Sequence, residues 1–600
     1  MTDIFQAMEV LRPDATGIYV AASQAAAAIE EAIEAEVPLV VAVAEHIPLH
    51  DMLRIHSILK TQSKSRLVGP NSPGIISSIG KCRIGFQPLP CFSPGHVGII
   101  AKSGTLSYET VASTTRAGLG QSLCVGIGGD ILPGTDLREA LSVLEHDPDT
   151  EAIALVGEIG GTLEMDAAAW IKDYHSRTKS PKPIVGLIAG VQEAHGHIMG
   201  HAGAFTIPGE PDAKSKIQAL QDAGVTMVDH PAKFGDGIKR RLEAQSTIQS
   251  SSAASSPFST GTQRRSIHTL LRRPTRPHTK RNPMIIQKRT IYLPESTSLN
   301  LLREQGINAS TYSGSGARHL LAIGIDRTAR CPCIIASPDL SSSSAKRFPF
   351  TPTRSLESTL STDRIASHLG LHPSQSTLAS LRSLIQALTT IFHDREAFFL
   401  STHIVERLGA LKVVSASFRL DDAAYRSAGR QASLHESAAA ANLLSDPEVE
   451  AETEAARHGI VYIRLPSPQA RIGTLVNGAG LAMNTVDALA LAGGQAANFL
   501  DTGGKATSET VKKSFEIVLR DPRVRVVFVN IFGGLTLGDM IARGVVMAFK
   551  ELEVKVPVVV RIRGTNEEEG QRVIRESGLP IFAFDGFEEA AARAVELSRV

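Results

Sequence analysis

The chain has 600 residues, of which 42% are hydrophobic and 20% charged, and its formal net charge is +1 at pH 7. This length predicts about three to five domains. We expect no nucleic-acid partner, although the near-neutral charge alone argues neither for nor against one. The sequence has no run of about 18 apolar residues, which predicts no membrane contact, and its five scattered cysteines exclude a disulfide framework.

The parts of the chain on either side of residues 246–292, called the two flanks below, alternate short apolar runs with amphipathic stretches. The runs "EAIALVGEIGG" (151–161) and "RVVFVNIFGG" (525–534) end in glycine, and "DLREALSVLEHD" (136–147) has helical periodicity. Apolar strands bounded by glycine predict an α/β fold whose parallel sheets are covered by helices on both faces.

The segment between the flanks has a different composition. Residues 246–263 are rich in Ser, Thr and Ala, and residues 264–289 carry nine Lys or Arg and no acidic residue. We interpret 246–292 as a linker whose basic part is typical of a mitochondrial leader that now lies inside a fused chain. A basic, solvated linker is the alternative.

The two flanks also repeat each other. "VGIIAKSGTLSYETV" (97–111) corresponds to "IGTLVNGAGLAMNTV" (472–486), and "VGEIGG" at 156 corresponds to "VNIFGG" at 529. The spacing changes only between 191 and 210, where the first copy has extra residues that include "IMGHAGAF" (198–205). His201 is therefore predicted to lie in an added loop at the carboxyl end of a parallel strand, where doubly wound folds bind ligands.

Two predicted helix starts point to an anion site. They lie near Ser103-Gly104-Thr105 and near Asn477-Gly478. Helix N-termini present unbonded N–H groups, and glycine permits close approach of an anion. If both helices face one point, His201 could carry a phosphoryl group there, with Glu158 orienting its ring. The alternative is a histidine that only binds a loop carbonyl.

Longer motifs resemble a known family. Residues 15–245 resemble the α subunit of succinate–CoA ligase in "AAAAIEEAIEAEVPLVV", "RLVGPNSPGII", "GLGQSLCVGIGGD" and "MGHAGA". Residues 466–600 resemble the C-terminal domain of its β subunit in "LVNGAGLAMNTVDALALAGGQAANFLDTGG" and "VVVRIRGTNEEEG". ATP-citrate lyase shares the architecture and is a more distant relative.

The resemblance implies a reversible ligase of the tricarboxylic acid cycle. Such an enzyme joins succinate, or a similar dicarboxylate, to CoA with ATP or GTP through a phosphohistidine. His201 matches the phosphorylated histidine and Glu158 its orienting carboxylate. The matching phosphate and substrate positions are Ser103, Gly104, Thr105, Tyr108, Asn477, Gly478, Gly534, Leu535 and Thr536. The matching CoA positions are Val43, Ala44 and Glu45.

The resemblance also implies a domain order. We expect a truncated Rossmann-like CoA-binding domain (1–95), an α-type flavodoxin-like ligase domain (96–245), the linker (246–292), a degenerate ATP-grasp-like domain (293–465) and a β-type flavodoxin-like ligase domain (466–600). No glycine-rich turn for CoA precedes Ile18. Mg²⁺ is expected from the family, but its ligands are replaced by Ser401, Thr402, His403 and Ser415, so we expect no metal site.

Three functions are consistent with these features. The first is a fused succinate–CoA ligase whose α-like and β-like halves pair within the chain, with a homodimer or pairing with intact ligase subunits as a further expectation. The second is a catalytically impaired partner of an intact ligase subunit, and the third is a phosphohistidine carrier that makes no thioester. The family and the basic segment indicate the mitochondrial matrix, or the cytoplasm if an internal leader is not read.

Overall fold

The computed structural model describes residues 4–194, 197–252, 290–311, 317–351, 361–443, 447–503, 506–534 and 536–599. Their strands form four sheets of three, seven, six and six strands, with helices packed on them. The predicted α/β class is confirmed, and each sheet defines one structural unit. None of the helices among these residues has the length and apolarity needed to cross a bilayer.

The first unit is a small parallel sheet in the order β1-β2-β3. Alanine and isoleucine line the buried face of its second helix, at Ala25, Ala26, Ile29, Ala32 and Ile33. Its elements are α1 (Ile4–Leu11), β1 (Ala15–Ile18), α2 (Ala22–Glu34), β2 (Leu39–Ala42), α3 (Leu49–Leu59) and β3 (Arg66–Val68).

The second unit corresponds to the expected α-type ligase domain and has a seven-stranded sheet in the order β10-β9-β8-β6-β7-β4-β5. Strands β6 to β10 are parallel, and β4 and β5 are antiparallel additions at the edge. The strands are β4 (Gly74–Ser77), β5 (Cys82–Gly85), β6 (Pro94–Ala101), β7 (Gln121–Gly126), β8 (Ala152–Glu158), β9 (Ile184–Ala189) and β10 (Thr226–Met227). The helices are α4 (Gly104–Arg116), α5 (Leu137–His146), α6 (Leu163–Arg177), α7 (Ala213–Asp222) and α8 (Phe234–Ser252).

The third unit is an antiparallel sheet in the order β11-β16-β15-β12-β13-β14. Its strands are β11 (Thr290–Tyr292), β12 (His319–Asp326), β13 (Cys331–Ser337), β14 (Lys346–Pro349), β15 (Ala397–Arg407) and β16 (Ala410–Asp421). Its helices are α9 (Glu295–Glu304), α10 (Thr362–Leu369), α11 (Gln375–Asp394), α12 (Asp422–Ala428) and α13 (Ala432–Leu443).

The fourth unit corresponds to the expected β-type ligase domain and has a sheet in the order β17-β19-β18-β20-β21-β22, in which only β17 is antiparallel. Its strands are β17 (Val461–Arg464), β18 (Ile472–Val476), β19 (Asn498–Asp501), β20 (Val526–Gly533), β21 (Val558–Gly564) and β22 (Ile581–Phe584). Its helices are α14 (Pro447–Arg457), α15 (Ala479–Leu491), α16 (Ser508–Leu519), α17 (Gly538–Leu552), α18 (Glu567–Glu576) and α19 (Phe587–Leu597).

The two ligase domains are structural copies of each other. The order β10-β9-β8-β6-β7 in one matches β22-β21-β20-β18-β19 in the other. In each sheet an antiparallel strand follows at the same end, β4 beside β7 and β17 beside β19. This is the doubly wound, flavodoxin-like order, so the predicted repeat is confirmed. The connection after β9 spans residues 190–212, whereas the one after β21 spans only 565–566, which places the predicted insertion in one copy.

Three domain boundaries differ from the expected ones. Strands β4 and β5 lie within the expected 1–95 domain but pair into the sheet of the α-type ligase domain, and β17 lies before 466 but pairs with β19. Apolar periodicity identifies a strand but not its partner. Helix α8 extends to Ser252 into the expected linker, and residues 253–289 of that linker lie outside the described residues.

Two large hydrophobic cores join the four units in pairs. One core runs from Ile99 and Val111 of the α-type domain to Phe528 and Phe587 of the β-type domain. A second core joins the first and third units. A smaller core, which includes Phe515, lies on the other face of the β-type sheet. The shared cores keep the repeated domains face to face.

Candidate active site

The candidate catalytic pair lies at the carboxyl ends of two neighbouring strands. Glu158 is the last residue of β8, and His201 lies in the 190–212 loop that follows β9. The Nδ1 of His201 is 2.7 Å from Oε2 of Glu158. The two side chains are 12% and 2% exposed, so solvent competes little for this hydrogen bond.

This hydrogen bond determines which ring nitrogen of His201 carries the proton. A carboxylate only accepts hydrogen bonds, so the proton lies on Nδ1 and the lone pair of the neutral ring lies on Nε2. A Cβ added at Gly129 would lie 2.5 Å from Cγ of His201. Glycine at 129 therefore provides the space in which the ring meets Glu158.

His201 faces a cavity of about 160 Å³ that both ligase domains and the first unit line. Most of the predicted binding residues line this same cavity: Val43, Glu45, Gly104, Thr105, Tyr108, Asn477, Gly478, Gly534 and Thr536. Ser103 instead caps α4, accepting from N–H of Leu106 at 3.4 Å, and Ala44 accepts from N–H of Asn71. Leu535 lies outside the described residues.

The first turns of α4 and α15 touch each other beside this cavity. Gly478 caps α15 with φ +90°, and a Cβ there would lie 2.0 Å from Oγ1 of Thr105. A Cβ at Gly480 would lie 2.0 Å from Oγ of Ser103. Two positive helix ends therefore converge near the imidazole, an arrangement that attracts a phosphate or carboxylate.

Asp501 is a cavity residue that the sequence interpretation missed. Its Oδ1 accepts from the N–H groups of Gly478 (2.6 Å) and Gly503 (2.7 Å). Burial raises the pKa of this carboxyl group. Asp501 is the last residue of β19, which pairs in parallel with β18. Its position at the carboxyl end of a parallel strand could have identified it as a site residue. The other missed cavity residues include Asn71, Pro73 and Phe86.

A buried charge network holds the backbone behind Glu158. The Nζ of Lys216 donates to the carbonyls of Glu158 (2.9 Å) and Gly160 (2.7 Å) and to Glu164 Oε2 (2.6 Å). Lys102 pairs with the other Glu164 oxygen at 2.7 Å. Burial opposes ionisation of Glu164, but the two ammonium groups lower its pKa to about 2, so the carboxylate stays charged between them.

The domains meet through buried polar contacts as well as through the shared core. Arg561 of β21 forms an ion pair with Glu109 of α4, and both side chains are buried. Asp487 of α15 accepts from the N–H groups of residues 190, 191 and 192 at 2.7–3.0 Å. The β-type domain thus holds the start of the loop that carries His201.

The third unit places small or capping groups where the family's metal ligands were expected. Ser415 donates to Glu295 at 2.7 Å, and Thr402 is buried and donates to a carbonyl. Asp421 accepts from the first N–H groups of α3 (Leu49, 2.7 Å) and from Ala423 (3.0 Å). Across the described ranges no group of three His, Cys, Asp or Glu has metal-binding geometry.

A family model indicates the class of protein to which the two copies are similar. A family model described as CoA-ligase matches residues 100–226 and 475–595, which are the two copies of the repeat. The fold, the cavity between the copies and this match define a CoA ligase. The structure of ATP citrate lyase from Methanothrix soehngenii is 24% identical, covers 42% of each chain and has a TM-score of 0.36.

Two curated relatives specify the family. The mitochondrial succinate–CoA ligase [ADP-forming] subunit alpha-2 of Trichomonas vaginalis is 44% identical over 244 residues, which are 40% of this chain and 78% of that protein. The corresponding subunit alpha of Aquifex aeolicus is 42% identical over 227 residues, 38% of this chain and 72% of that protein. The chain belongs to the succinate–CoA ligase family.

Proposed function

We propose that this chain is a succinate–CoA ligase in which His201 carries the phosphoryl group. The observation that carries the proposal is the Glu158–His201 hydrogen bond beside two converging helix N-termini. The names of its relatives support succinate, CoA and a nucleotide as the substrates. An impaired partner protein would need neither an oriented histidine nor a cavity lined by both ligase domains.

The geometry supports a reaction in two steps, in the direction that starts from succinyl-CoA and phosphate. A phosphate oxygen attacks the succinyl-CoA carbonyl, the C–S bond breaks and CoA leaves as a thiolate that takes up a proton. Nε2 of His201 then attacks phosphorus, and the P–O bond to succinate breaks with the electron pair leaving on the carboxylate. The phosphorylated ring is cationic with its proton on Nδ1, and Glu158 stabilises that charge.

The helix N-termini of α4 and α15 would hold the phosphate during both steps. Their N–H dipoles are fixed before the reaction, so they stabilise negative charge without reorganisation. Val43 and Glu45 line the same cavity from the first unit, which supports their predicted role as CoA-binding positions.

The residues at the family's metal positions do not fit Mg²⁺. Ser415 donates a hydrogen bond to Glu295, and Asp421 accepts N–H hydrogen bonds at the starts of two helices. We therefore propose that exchange of the phosphoryl group with a nucleotide is slower than its exchange with succinyl-CoA. The basic segment 264–289 and the mitochondrial relative support a mitochondrial location, and the shared cores support pairing of the two halves within one chain.

The test is the release of succinate from succinyl-CoA. Purified chain is mixed with succinyl-CoA and inorganic phosphate, and we expect a burst of about one succinate per chain, since the histidine is filled once. Addition of ADP or GDP should convert the burst into turnover if the nucleotide step operates. Release of succinate that is equal in the chain and in His201→Asn, as in spontaneous hydrolysis, would contradict the proposal.

A further inference from the structure

One arginine of the third unit reaches the loop that carries His201. Arg327 lies at the tip of the β12–β13 hairpin and is only 4% exposed. Its Nη1 donates to the carbonyl of Gly203 (2.6 Å) and its Nη2 to the carbonyl of Phe205 (3.1 Å). Both carbonyls are within four residues of His201, so this side chain fixes the backbone just after the imidazole.

The same guanidinium is held in place from two further sides. Its Nε lies 3.2 Å from Oε1 of Glu210, a carboxylate with 0% side-chain exposure. Its central carbon lies 4.3 Å from the ring centre of Phe205, at cation–π distance. The guanidinium contacts the two carbonyls and the carboxylate through three separate nitrogens that lie in one rigid plane.

Arg327 also explains the paired glycines of the "GEIGG" motif. A Cβ at Gly160 would lie 2.1 Å from the Gly203 carbonyl oxygen and 2.6 Å from Nη1 of Arg327. At Gly161 the three nearest heavy atoms to such a Cβ all belong to Arg327, the closest at 2.7 Å. The turn that follows Glu158 is therefore shaped to receive this side chain.

We propose that Arg327 is a positioning residue that fixes the position of His201 relative to Glu158. It clamps the turn after Glu158 and the loop after His201 together, so Nδ1 stays at hydrogen-bond distance from the carboxylate. The third unit then has a role in the histidine chemistry that does not depend on a nucleotide. The proposal rests on the proposed function only in its kinetic arm.

The test compares a clamp variant with a matched variant of the same hairpin. Arg327→Met with Glu210→Met removes both charges, so no unpaired buried charge remains to unfold the protein. Arg330→Met is the control, because Arg330 binds Asp136 (3.0 Å), Glu139 (3.0 Å) and the carbonyl of Gly134 (3.3 Å), which all lie outside the 190–212 loop. Thermal melting of both variants confirms that each is folded.

Two readouts are measured. The first is NMR of ¹⁵N-histidine, in which we expect the His201 ring to lose its Nδ1–H tautomer preference in the clamp variant and keep it in Arg330→Met. The second is the rate of His201 phosphorylation from succinyl-CoA and phosphate, which should fall about 10- to 100-fold in the clamp variant with KM unchanged.

The outcomes separate the two claims. A clamp variant with the parental tautomer and the parental rate would overturn the role of Arg327, and so would an equal loss in Arg330→Met. If the parent chain itself is not phosphorylated, the proposed function fails, while the NMR comparison still decides whether Arg327 positions the imidazole.

Discussion

The hydrogen bond between His201 Nδ1 and Glu158 Oε2 sets which nitrogen of the imidazole would attack phosphorus in the proposed reaction. At 2.7 Å it keeps the proton on Nδ1 and the lone pair on Nε2. Lys216 holds the Glu158 carbonyl from behind, and Gly129 leaves space for the ring. The reactive geometry therefore depends on a few buried contacts rather than on the histidine alone.

Replacement of the orienting carboxylate tests this residue-scale account. In Glu158→Gln we expect phosphorylation of His201 to slow about 100-fold or more, because a neutral amide does not stabilise the cationic phosphorylated ring. Rapid-quench measurement of acid-labile phosphate gives the rate. Glu151→Gln makes the same charge change just before β8 at an exposed position and should leave the rate within about twofold. Equal rates in both variants would contradict the role of Glu158.

The contact between the two helix N-termini gives a second residue-scale prediction. Gly478 and Gly578 both have positive φ, but only a Cβ at Gly478 meets another residue, Thr105 Oγ1 at 2.0 Å. Gly578→Ala should cost about 1 kcal/mol of unfolding free energy from backbone strain alone. Gly478→Ala should cost more and should also abolish phosphorylation. Calorimetry and the labelling assay compare the variants, and an active Gly478→Ala protein would show that the helix ends need not touch.

The elements divide into those with a local sequence signal and those without one. The end of β8 at Glu158 and the start of α4 at Gly104 follow from apolar runs and glycine, and both were predicted. The partner of β4 and the insertion of Arg327 between two turns were not, because pairing and contacts between residues far apart in sequence leave no periodic signal. Asp501 had a weaker signal, since only the sheet order identifies its strand end as part of the site.

Two histidines at contacts between units, His230, which is buried, and His50, which is partly buried, make the packing of the units sensitive to acid. His50 of α3 binds the carbonyl of Ala397 in the third unit, and His230 stacks on Phe587 with ring centres 3.9 Å apart. Burial lowers the pKa of both histidines to about 4. A lowered pKa means that the unfolded chain binds the proton more tightly, so stability is complete above pH 6.5 and is lost as pH falls toward 4.

As pH falls across that range, proton binding to each of these histidines in the unfolded chain should lower the unfolding free energy by at most roughly 3 kcal/mol. The double variant His50→Gln, His230→Gln should reduce the dependence of chemical denaturation on pH between 6.5 and 4, while His56, whose pKa burial also lowers to about 4, still contributes to it. His146→Gln is the control, because its side chain is exposed. An unchanged pH slope in the double variant would contradict the assignment.

At the scale of the whole molecule, the site exists only where four units meet. The first unit and both copies of the ligase repeat line the cavity, and the third unit reaches the histidine loop through Arg327. The linker joins the α-like and β-like halves in one chain, which replaces association in solution by a high effective concentration. The shared cores and the buried Glu109–Arg561 pair then hold the halves together.

Cleavage of the linker tests this whole-molecule account. With a protease site inserted after Thr269, we expect both pieces to co-elute after cleavage, because the buried core between the ligase domains does not depend on the linker. Size-exclusion chromatography at falling protein concentration measures the association. Phosphorylation per chain should become concentration-dependent only in the cut protein. Separation of the pieces at high concentration would contradict the shared core.

Direct detection of phosphohistidine tests the central claim most directly. The purified chain is incubated with succinyl-CoA and labelled inorganic phosphate, and the modified residue is mapped by mass spectrometry without acid. We predict acid-labile label on His201, with none on His201→Asn under the same conditions. Label that persists in His201→Asn, or no label on the parent chain, would contradict the account.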